Sequence, residues 1–272
     1  MAREFIYGIL TGGVSLILAI KLYNSKAYSC LRGKKRNKLA LIGAGPGHPE
    51  LITVRALSLL SEAQVVIVDA LVNPEIWMKH ADSSAKIIYV GKRGGKKDSV
   101  PQTEIDSLLV KHGKTSNVVR LKGGDPMIYG RIASEIEALN KAGIEYEIVP
   151  GVSSILAAPA MYGIPLTHKE LSKTFVVASG HDPKIFNYNA LAMHDTIVLL
   201  MATRTLSTIT DELINAGMDR QTPVAVIHQA TIEQWILCGE LENIFLKLKS
   251  LKSSASPAIV LIGKVAAWGQ GR

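Results

Sequence analysis

The sequence V-V-R-L-K-G-G-D-P-M-I-Y-G runs from Val118 to Gly130 and joins an apolar segment to a glycine-rich turn. Val118–Leu121 predicts a strand, because it is largely apolar and begins with β-branched side chains. Gly123 and Gly124 then let the backbone bend and approach a ligand without an intervening Cβ atom. In an α/β sheet, ligands bind to loops that follow the C-terminal ends of strands. Taken alone, this stretch predicts either a binding loop or a plain turn after a strand.

A second glycine-rich stretch favours the binding loop. Lys38–Glu50 reads K-L-A-L-I-G-A-G-P-G-H-P-E, in which an apolar strand again runs into glycines and a helix is predicted to follow. Two glycine-rich strand ends in one sheet can form two walls of a single cleft.

Binding of a dinucleotide is the alternative interpretation of this second stretch. G-A-G-P-G follows a predicted strand, and Asp69 ends the next predicted strand, as in a dinucleotide fingerprint. However, His48 stands where the third fingerprint glycine is expected. Pro46 also removes a backbone N–H group where a pyrophosphate needs a donor. The dinucleotide interpretation is therefore the weaker one.

The pattern from Lys38 onward predicts an α/β protein of two domains. Apolar runs that are continuous rather than alternating indicate largely parallel strands covered on both faces. Gly163-Ile164-Pro165 interrupts an apolar helix and marks the predicted boundary, so we expect a hydrophobic segment with a basic linker at 1–37, a first α/β domain at 38–163 and a second at 164–272. The predicted strands are Leu39–Ile42, Val65–Val68, Ile87–Val90, Val118–Leu121, Tyr146–Val149, Thr174–Ser179, Ile197–Met201, Pro223–Ile227 and Ala258–Gly263, and the predicted helices are Pro49–Ala63, Gln102–His112, Arg131–Ala142, Ser153–Tyr162 and segments near 205–216 and 240–250.

The N-terminal segment predicts a membrane anchor. Phe5–Ile20 contains no charged residue, and extending it to Tyr23 approaches the length needed to span a bilayer. Basic residues follow this segment more often than they precede it, which by the positive-inside bias places the C-terminal part of the chain in the cytoplasm. A cleaved leader, an organelle-targeting leader with an organellar location, and an accessory helix are the alternatives.

Charge and cysteine usage exclude two classes of protein. The formal net charge is +8, but eight of the 31 basic residues precede residue 39, against one acid. The rest of the chain holds 23 basic and 22 acidic residues, so the sequence does not predict a basic nucleic-acid-binding domain. Cys30 and Cys238 are too few for a disulfide framework or a zinc site, and we expect both to be free thiols.

Together with three further motifs, the two glycine-rich stretches resemble the tetrapyrrole methylases. The motifs are V-G-K-R at 90–93, V-P-G-V-S-S at 149–154 and G-I-P-L-T-H at 163–168, and the resemblance covers roughly residues 38–268. It implies two α/β domains with the active site in the cleft between them, and a homodimer. It also implies transfer of methyl groups from S-adenosylmethionine to uroporphyrinogen III, giving precorrin-2 on the route to sirohaem or a corrinoid. No metal is implied.

The same resemblance assigns roles to individual residues. It implies that Asp69 is the proton acceptor and Lys92 the proton donor. It implies contacts to S-adenosylmethionine from Pro46, Gly123, Gly124, Asp125, Ile128, Ser153, Ser154, Met201 and Ala230. Two of these fit the chemistry of the cofactor, because backbone N–H groups at Gly123 and Gly124 suit its carboxylate. Ala230 departs from the glycine that is common at this position in the family.

Structural alternatives exist for several of these residues. Asp69 is alternatively a helix cap for the segment that leads to Pro74. Met201 is alternatively a core residue, and Lys92 part of a solvated basic run. Arg120, Lys122 and Arg131 bracket the G-G-D-P turn and are candidates to bind the eight carboxylates of uroporphyrinogen. His168 either lines the site or has a structural role.

Two further functional hypotheses stay open from the sequence. The first is another enzyme of the superfamily, either a precorrin methylase for a later corrin step or a methylase of ribosomal RNA. The second is a tetrapyrrole-binding protein without catalysis. It is motivated by substrate-side departures from the family pattern, among them Val68 and Ala70 on either side of Asp69 and Trp235 in place of an arginine.

Overall fold

A computed structural model describes residues 38–91, 100–251 and 255–269 of the chain. The predictions for the N-terminal helix, the basic linker, Cys30 and Lys92 fall outside these residues. Within the described ranges, no helix is both long and apolar enough to cross a bilayer. Residues 38–272 form one compact unit.

The helices of the described residues are α1 (Val54–Ser61), α2 (Pro74–His80), α3 (Gln102–Gly113), α4 (Ile132–Lys141), α5 (Ser154–Ala160), α6 (Tyr188–Leu191), α7 (Leu206–Asn215) and α8 (Ile244–Ser250). Short 3₁₀ turns lie at Pro49–Leu51, Pro183–Ile185 and Lys264–Gly269.

The first sheet is parallel throughout, as its continuous apolar strands predict. Its order is β3-β2-β4-β1-β5. The strands are β1 (Leu39–Gly43), β2 (Val65–Val68), β3 (Lys86–Tyr89), β4 (Val118–Lys122) and β5 (Tyr146–Val149). Strands β1 and β4 are neighbours, with Gly43 opposite Lys122. This register places the two glycine-rich loops side by side at one edge of the sheet.

The second sheet is mixed rather than parallel. Its order is β6-β7-β10-β8-β9, and only the β6–β7 pair is parallel. The strands are β6 (Phe175–Ser179), β7 (Thr196–Leu200), β8 (Pro223–His228), β9 (Trp235–Glu240) and β10 (Ala258–Gly263). Because β10 runs antiparallel to both β7 and β8, those two strands run in the same direction. The C-terminal ends of β7 and β8 therefore lie at the same edge of the sheet. The loops that follow them can therefore form one wall.

Both sheets are covered on both faces, because alternate side chains of each central strand enter different hydrophobic clusters. In β1, Ala40 and Ile42 belong to one buried cluster, whereas Leu39 and Leu41 belong to another. In the second sheet, one cluster contains Ile197, Leu199, Val224, Val226, Val260 and Ile262, and the other contains Val198, Ala225, Ile227, Ile259 and Leu261.

The boundary at residue 163 between two domains stays a prediction.

Two predicted helices need correction, and one strand was not predicted. The helix predicted over Pro49–Ala63 is a 3₁₀ turn followed by α1, because Thr53 is extended and its side chain accepts a hydrogen bond from the Ala56 N–H as an N-cap. Strand β9 was not predicted, and the helix expected near 240–250 begins only at Ile244. Strand β9 is an edge strand whose side chains are half-buried, although it begins with the apolar run Trp235–Cys238, and it pairs antiparallel with β8.

Candidate active site

The two glycine-rich loops interlock through their backbones. The Gly124 N–H donates to the Gly45 carbonyl oxygen at 2.8 Å, and the Gly45 N–H donates back to the Gly124 carbonyl oxygen at 3.2 Å. A Cβ atom at Gly43 would lie 2.5 Å from the Gly151 nitrogen, far inside van der Waals contact. The sequence therefore requires glycine here so that the loops after β1, β4 and β5 can meet.

Asp125 fastens two of these loops together. Its carboxylate accepts one hydrogen bond from the Met127 N–H at 2.8 Å and another from the Gly151 N–H at 3.0 Å. One oxygen atom orders the turn after β4, and the other reaches the loop after β5. In the structure, Asp125 therefore shapes the predicted cofactor loop, and direct contact with a cofactor stays a prediction.

An open space lies beside Gly124, on the side of the N-terminus of α5. Gly124 has φ of +65°, and the nearest atom to a Cβ built there is the Ser154 nitrogen at 4.0 Å. Ser153 caps α5 by accepting a hydrogen bond from the Ile155 N–H at 3.4 Å. Gly123, Gly124, Ser153 and Ser154, all predicted cofactor contacts, thus lie in one region.

The loop after β8 lies opposite the glycine-rich loops, and the loop after β7 leaves the same edge of the second sheet. The backbones of both loops are strained. Met201 has φ of +56°, Gln229 +40° and Thr231 +77°, values that L-residues rarely adopt. Tyr129 and Arg131, in and after the G-G-D-P turn, are the remaining described non-glycine residues with positive φ. Such strain persists where the surroundings impose it, and it clusters at functional sites.

Three contacts join the glycine-rich loops of the first sheet and the turn after β4 to the second sheet. The His48 N–H donates to Thr231 Oγ1 at 3.0 Å, and the Tyr129 hydroxyl donates to the Val177 carbonyl oxygen of β6 at 3.3 Å. Ile128 packs against the buried cluster of the second sheet that contains Ala230. The predicted residues Pro46, Ile128 and Ala230 thus lie in or beside the loops that face each other. Half of the Met201 surface is exposed (50%), so its interpretation as a core residue is wrong.

Asp69 lies at the exposed end of a buried network of charged side chains. Arg120 Nη2 donates to Asp69 Oδ1 at 2.5 Å, and Arg120 Nε donates to Glu135 Oε1 at 2.9 Å. Lys122 Nζ donates to the same Glu135 oxygen at 2.8 Å and lies 4.0 Å from Asp69 Oδ2. The Asp69 side chain is 30% exposed, whereas the other three side chains are almost wholly buried. The network therefore leaves one partly exposed carboxylate above two buried cations.

Burial and mutual contact shift the pKa values of the two cations in opposite directions. Burial, reinforced by the neighbouring guanidinium of Arg120, lowers the pKa of Lys122. Burial opposes the charge of Arg120 as well, but Asp69 and Glu135 outweigh it and raise the pKa of Arg120. The guanidinium is therefore the permanent cation beside Asp69.

The structure corrects two interpretations of this region. Asp69 does not cap α2, because the N-cap is Asn73, whose Oδ1 accepts a hydrogen bond from the Glu75 N–H at 3.0 Å. Arg120 and Lys122 are buried beneath Asp69 and are not exposed to bind substrate carboxylates.

Glu135 was not predicted from the sequence, although a signal for it exists. Arg120 and Lys122 lie two residues apart in an otherwise apolar strand and so point to the same face of the sheet. Glu135 interrupts the buried stripe of α4 between Ile132 and Leu139. A carboxylate in the apolar stripe of the next helix is the counter-charge that two buried basic residues require.

His168 has a structural role. Its Nδ1 atom accepts hydrogen bonds from the Glu170 and Leu171 N–H groups, both at 3.2 Å, and its ring meets Trp268 edge-on at 5.6 Å. The side chain therefore orders a turn, and nothing in these contacts favours the site-lining alternative.

Comparison with known proteins defines the class to which this fold and site belong. The family of tetrapyrrole (corrin/porphyrin) methylases matches residues 38–244, so this chain is a member of that family. The resemblance inferred from the motifs is thereby confirmed.

The relatives point to a particular enzyme within the family. The chain is 42% identical over 230 residues to the uroporphyrinogen-III C-methyltransferase of Synechococcus elongatus, covering 84% of this chain and 93% of the relative. It is similar to the crystal structure of uroporphyrin-III C-methyl transferase from Thermus thermophilus complexed with S-adenyl homocysteine, with a TM-score of 0.71, 34% identity and coverage of 84% and 98%. It is also similar to a cobalt precorrin-4 methyltransferase of cobalamin biosynthesis, with a TM-score of 0.76, 29% identity and coverage of 87% and 99%.

Proposed function

We propose that this chain catalyses the S-adenosylmethionine-dependent C-methylation of uroporphyrinogen III to precorrin-2, on the route to sirohaem or a corrinoid. The observation that carries the proposal is the position of Asp69. Its carboxylate is partly exposed at the end of β2, at the same edge of the sheet as the interlocked glycine loops. The identity of about 40% to curated uroporphyrinogen-III C-methyltransferases supports the same substrate.

The residues around Gly124 suit S-adenosylmethionine. The open direction at its α-carbon is where a ligand can approach the backbone, and the Ser154 N–H lies across that space. The cofactor carries a carboxylate, an ammonium and a sulfonium but no phosphate, so it does not need the pyrophosphate donor that Pro46 removes. When bound, it supplies an electrophilic methyl group. The predicted contacts at Pro46, Gly123, Gly124, Asp125, Ile128, Ser153, Ser154, Met201 and Ala230 remain part of this proposal.

The protein's part in the reaction is to position the substrate and accept a proton. A pyrrole carbon of the substrate forms the new bond to the methyl carbon while the carbon–sulfur bond breaks. The macrocycle then carries a positive charge and must lose a proton. Asp69 is the carboxylate placed to take it. Positioning of the two reactants in the cleft supplies most of the remaining rate enhancement.

Lys92 remains the proposed proton donor. It directly follows Gly91, whose α-carbon lies against the backbone next to Asp69: a Cβ atom at Gly91 would be 1.7 Å from the Ala70 nitrogen. Gly91, the last described residue before Lys92, therefore lies beside the loop that carries Asp69.

A transfer assay tests the proposed function against its alternatives. Enzyme is incubated with S-adenosylmethionine labelled in its methyl group and with uroporphyrinogen III, and we expect label in the tetrapyrrole. The similarity to a cobalt precorrin-4 methyltransferase makes a later corrin step the second candidate. Label in a precorrin but not in uroporphyrinogen III would favour that candidate. Label only in ribosomal RNA would support an RNA methylase. Label in no acceptor would support a tetrapyrrole-binding protein without catalysis.

Substitution of Gly124 tests the cofactor loop. We expect Gly124→Val to weaken binding of S-adenosylhomocysteine at least about tenfold, or roughly 1.4 kcal/mol, because the branched side chain would fill the open space beside Ser154. Calorimetry measures the dissociation constant. Gly143→Val is the matched control, since Gly143 also has φ of +65° but lies in the turn between α4 and β5 with nothing within 4 Å of its Cβ position. Equal affinity of the two folded variants would remove this loop from the cofactor site.

We also propose that the N-terminal segment Phe5–Tyr23 tethers the enzyme to a membrane, with the catalytic part in the cytoplasm. This proposal rests on the uncharged run and on the basic residues that follow it. Deletion of residues 1–37 leaves the compact unit intact, and we expect it to release the protein from the membrane fraction with turnover nearly unchanged. Full-length protein that is extracted by carbonate, or a mature N-terminus beyond Ile20, would contradict the anchor.

The homodimer implied by the family resemblance is tested by light scattering on the same deletion variant.

A further inference from the structure

The buried network under Asp69 contains two positive and two negative charges. Arg120 and Lys122 come from β4, Asp69 from the end of β2 and Glu135 from α4. The other charged residues of α4, Glu137 and Lys141, are exposed. Within the described residues, Glu135 is therefore the wholly buried anion that balances the charge of this network.

We propose that Glu135 is a positioning residue, which sets the orientation and the basicity of Asp69 through Arg120 and Lys122. This inference rests on the proposed function, in which Asp69 accepts the proton. Glu135 does not reach the cleft itself, because its side chain is completely buried.

Geometry supports the orienting part of the proposal. The guanidinium of Arg120 is planar, and its N–H donors lie in a fixed fork. Its Nε atom bonds Glu135 at 2.9 Å while its Nη2 atom bonds Asp69 at 2.5 Å. When Glu135 holds the Nε–H group, and the Ile67 carbonyl oxygen accepts from Nη1 at 3.4 Å, the direction of the Nη2–H donors in the same plane is fixed. Asp69 Oδ1 is thereby held, and Oδ2 is left toward Lys122 at 4.0 Å.

Charge balance supports the proposed effect of Glu135 on the basicity of Asp69. Without Glu135, both buried cations would act on Asp69 alone, and an opposite charge within about 4–6 Å favours the ionised carboxylate. Asp69 would then be a weaker proton acceptor. Glu135 accepts hydrogen bonds from both cations with a single oxygen, Oε1. Its negative charge therefore offsets part of the positive charge that acts on Asp69.

The second oxygen of Glu135 favours a role in the reaction over a purely stabilising one. Oε2 is buried and has no hydrogen-bond partner among the described residues. An unsatisfied buried carboxylate oxygen costs free energy, and replacement of buried ion pairs by apolar side chains is often neutral or stabilising. A network retained at such a cost, directly beneath the proposed proton acceptor, is consistent with a role in the reaction.

Three variants test this proposal by the sign of their effects. Glu135→Gln keeps the side-chain shape and removes the anion, so we expect kcat to fall about tenfold and the acidic limb of its pH profile to move down by about one pH unit. Lys122→Met removes one cation and keeps Glu135, so the acidic limb should move up. The double variant removes one charge of each sign, so its acidic limb should return close to that of the wild type.

Glu137→Gln is the matched control, because it makes the same substitution at an exposed position of the same helix. We expect it to behave as the wild type. The dissociation constant of S-adenosylhomocysteine should stay unchanged in all folded variants. Should Glu135→Gln fold and match Glu137→Gln in kcat and pH profile, the proposal is wrong. If Glu135→Gln does not fold, Lys122→Met decides, and an acidic limb that stays in place or moves down overturns the proposal.

A measurement independent of turnover separates this inference from the proposed function. Titration of the Asp69 carboxyl carbon by ¹³C NMR reports its basicity directly, and Asp69→Asn identifies its signal. A wild-type enzyme that methylates no tetrapyrrole would overturn the proposed function, while opposite shifts of this titration in Glu135→Gln and Lys122→Met would still support the coupling. Normal turnover with no shift in either variant would overturn the coupling alone.

Discussion

Asp69→Asn is expected to lower kcat for methyl transfer by about 10² to 10⁴, the usual loss when a general base is removed. Asparagine keeps the shape of the side chain and one oxygen that can accept the hydrogen bond from Arg120, but it removes the basic carboxylate. The dissociation constant of S-adenosylhomocysteine should hardly change, because the proposed cofactor contacts lie in other loops. Steady-state kinetics and calorimetry on the same preparation measure the two quantities.

Asp106→Asn is the matched control for this variant. Asp106 lies on α3, where its carboxylate accepts hydrogen bonds from Gln102 and Ser134, away from the cleft. We expect it to keep turnover near the wild-type value. If Asp69→Asn retains more than about a third of wild-type turnover, Asp69 is not the proton acceptor, since the expected loss is at least about 10².

Arg120→Met is expected to reduce the free energy of unfolding by about 3–5 kcal/mol, as when one partner of a buried ion pair is removed. The loss leaves Glu135 fully buried with Lys122 as its remaining counter-charge, and it leaves Asp69 without its hydrogen bond to the guanidinium. Urea denaturation of the folded variant measures the difference.

Arg55→Met provides the comparison for this loss of stability. Arg55 also makes two hydrogen bonds to one carboxylate, that of Glu147, but both side chains are more than a third exposed. Exposed ion pairs contribute about 0–1 kcal/mol, so we expect a small change in this variant. A similar small change for Arg120→Met would show that burial of the network does not determine its contribution.

The first sheet was predictable because its central strands are continuous apolar runs. Four-residue segments such as Val65–Val68 are buried along their whole length, and the structure confirms them with the predicted bounds. Strand β9 was not predicted, although Trp235–Cys238 is an apolar run. Its residues are half-buried at a sheet edge, and Trp235 at its start packs on His228, with the ring centroids 4.8 Å apart.

The site was predictable where backbone chemistry restricts the residue type. Gly43 and Gly124 are required by close approach or by positive φ, and both lie in stretches that the sequence already marks as turns. The left-handed conformations of Met201 and Thr231 were not predictable, because neither residue type favours them and only the surrounding fold imposes them.

The charge network shows why the roles of individual side chains need the structure. Arg120 and Lys122 flank the turn in the sequence, which suggested substrate binding. Their burial depends on α4, which brings Glu135 against them from 15 and 13 residues away. Only this packing shows that Asp69 is the exposed member of the group.

Mass spectrometry of the product formed from uroporphyrinogen III and S-adenosylmethionine tests the central claim most directly. The proposed function predicts a tetrapyrrole that has gained two methyl groups, matching precorrin-2. An unmodified tetrapyrrole recovered from folded, cofactor-binding enzyme would contradict it.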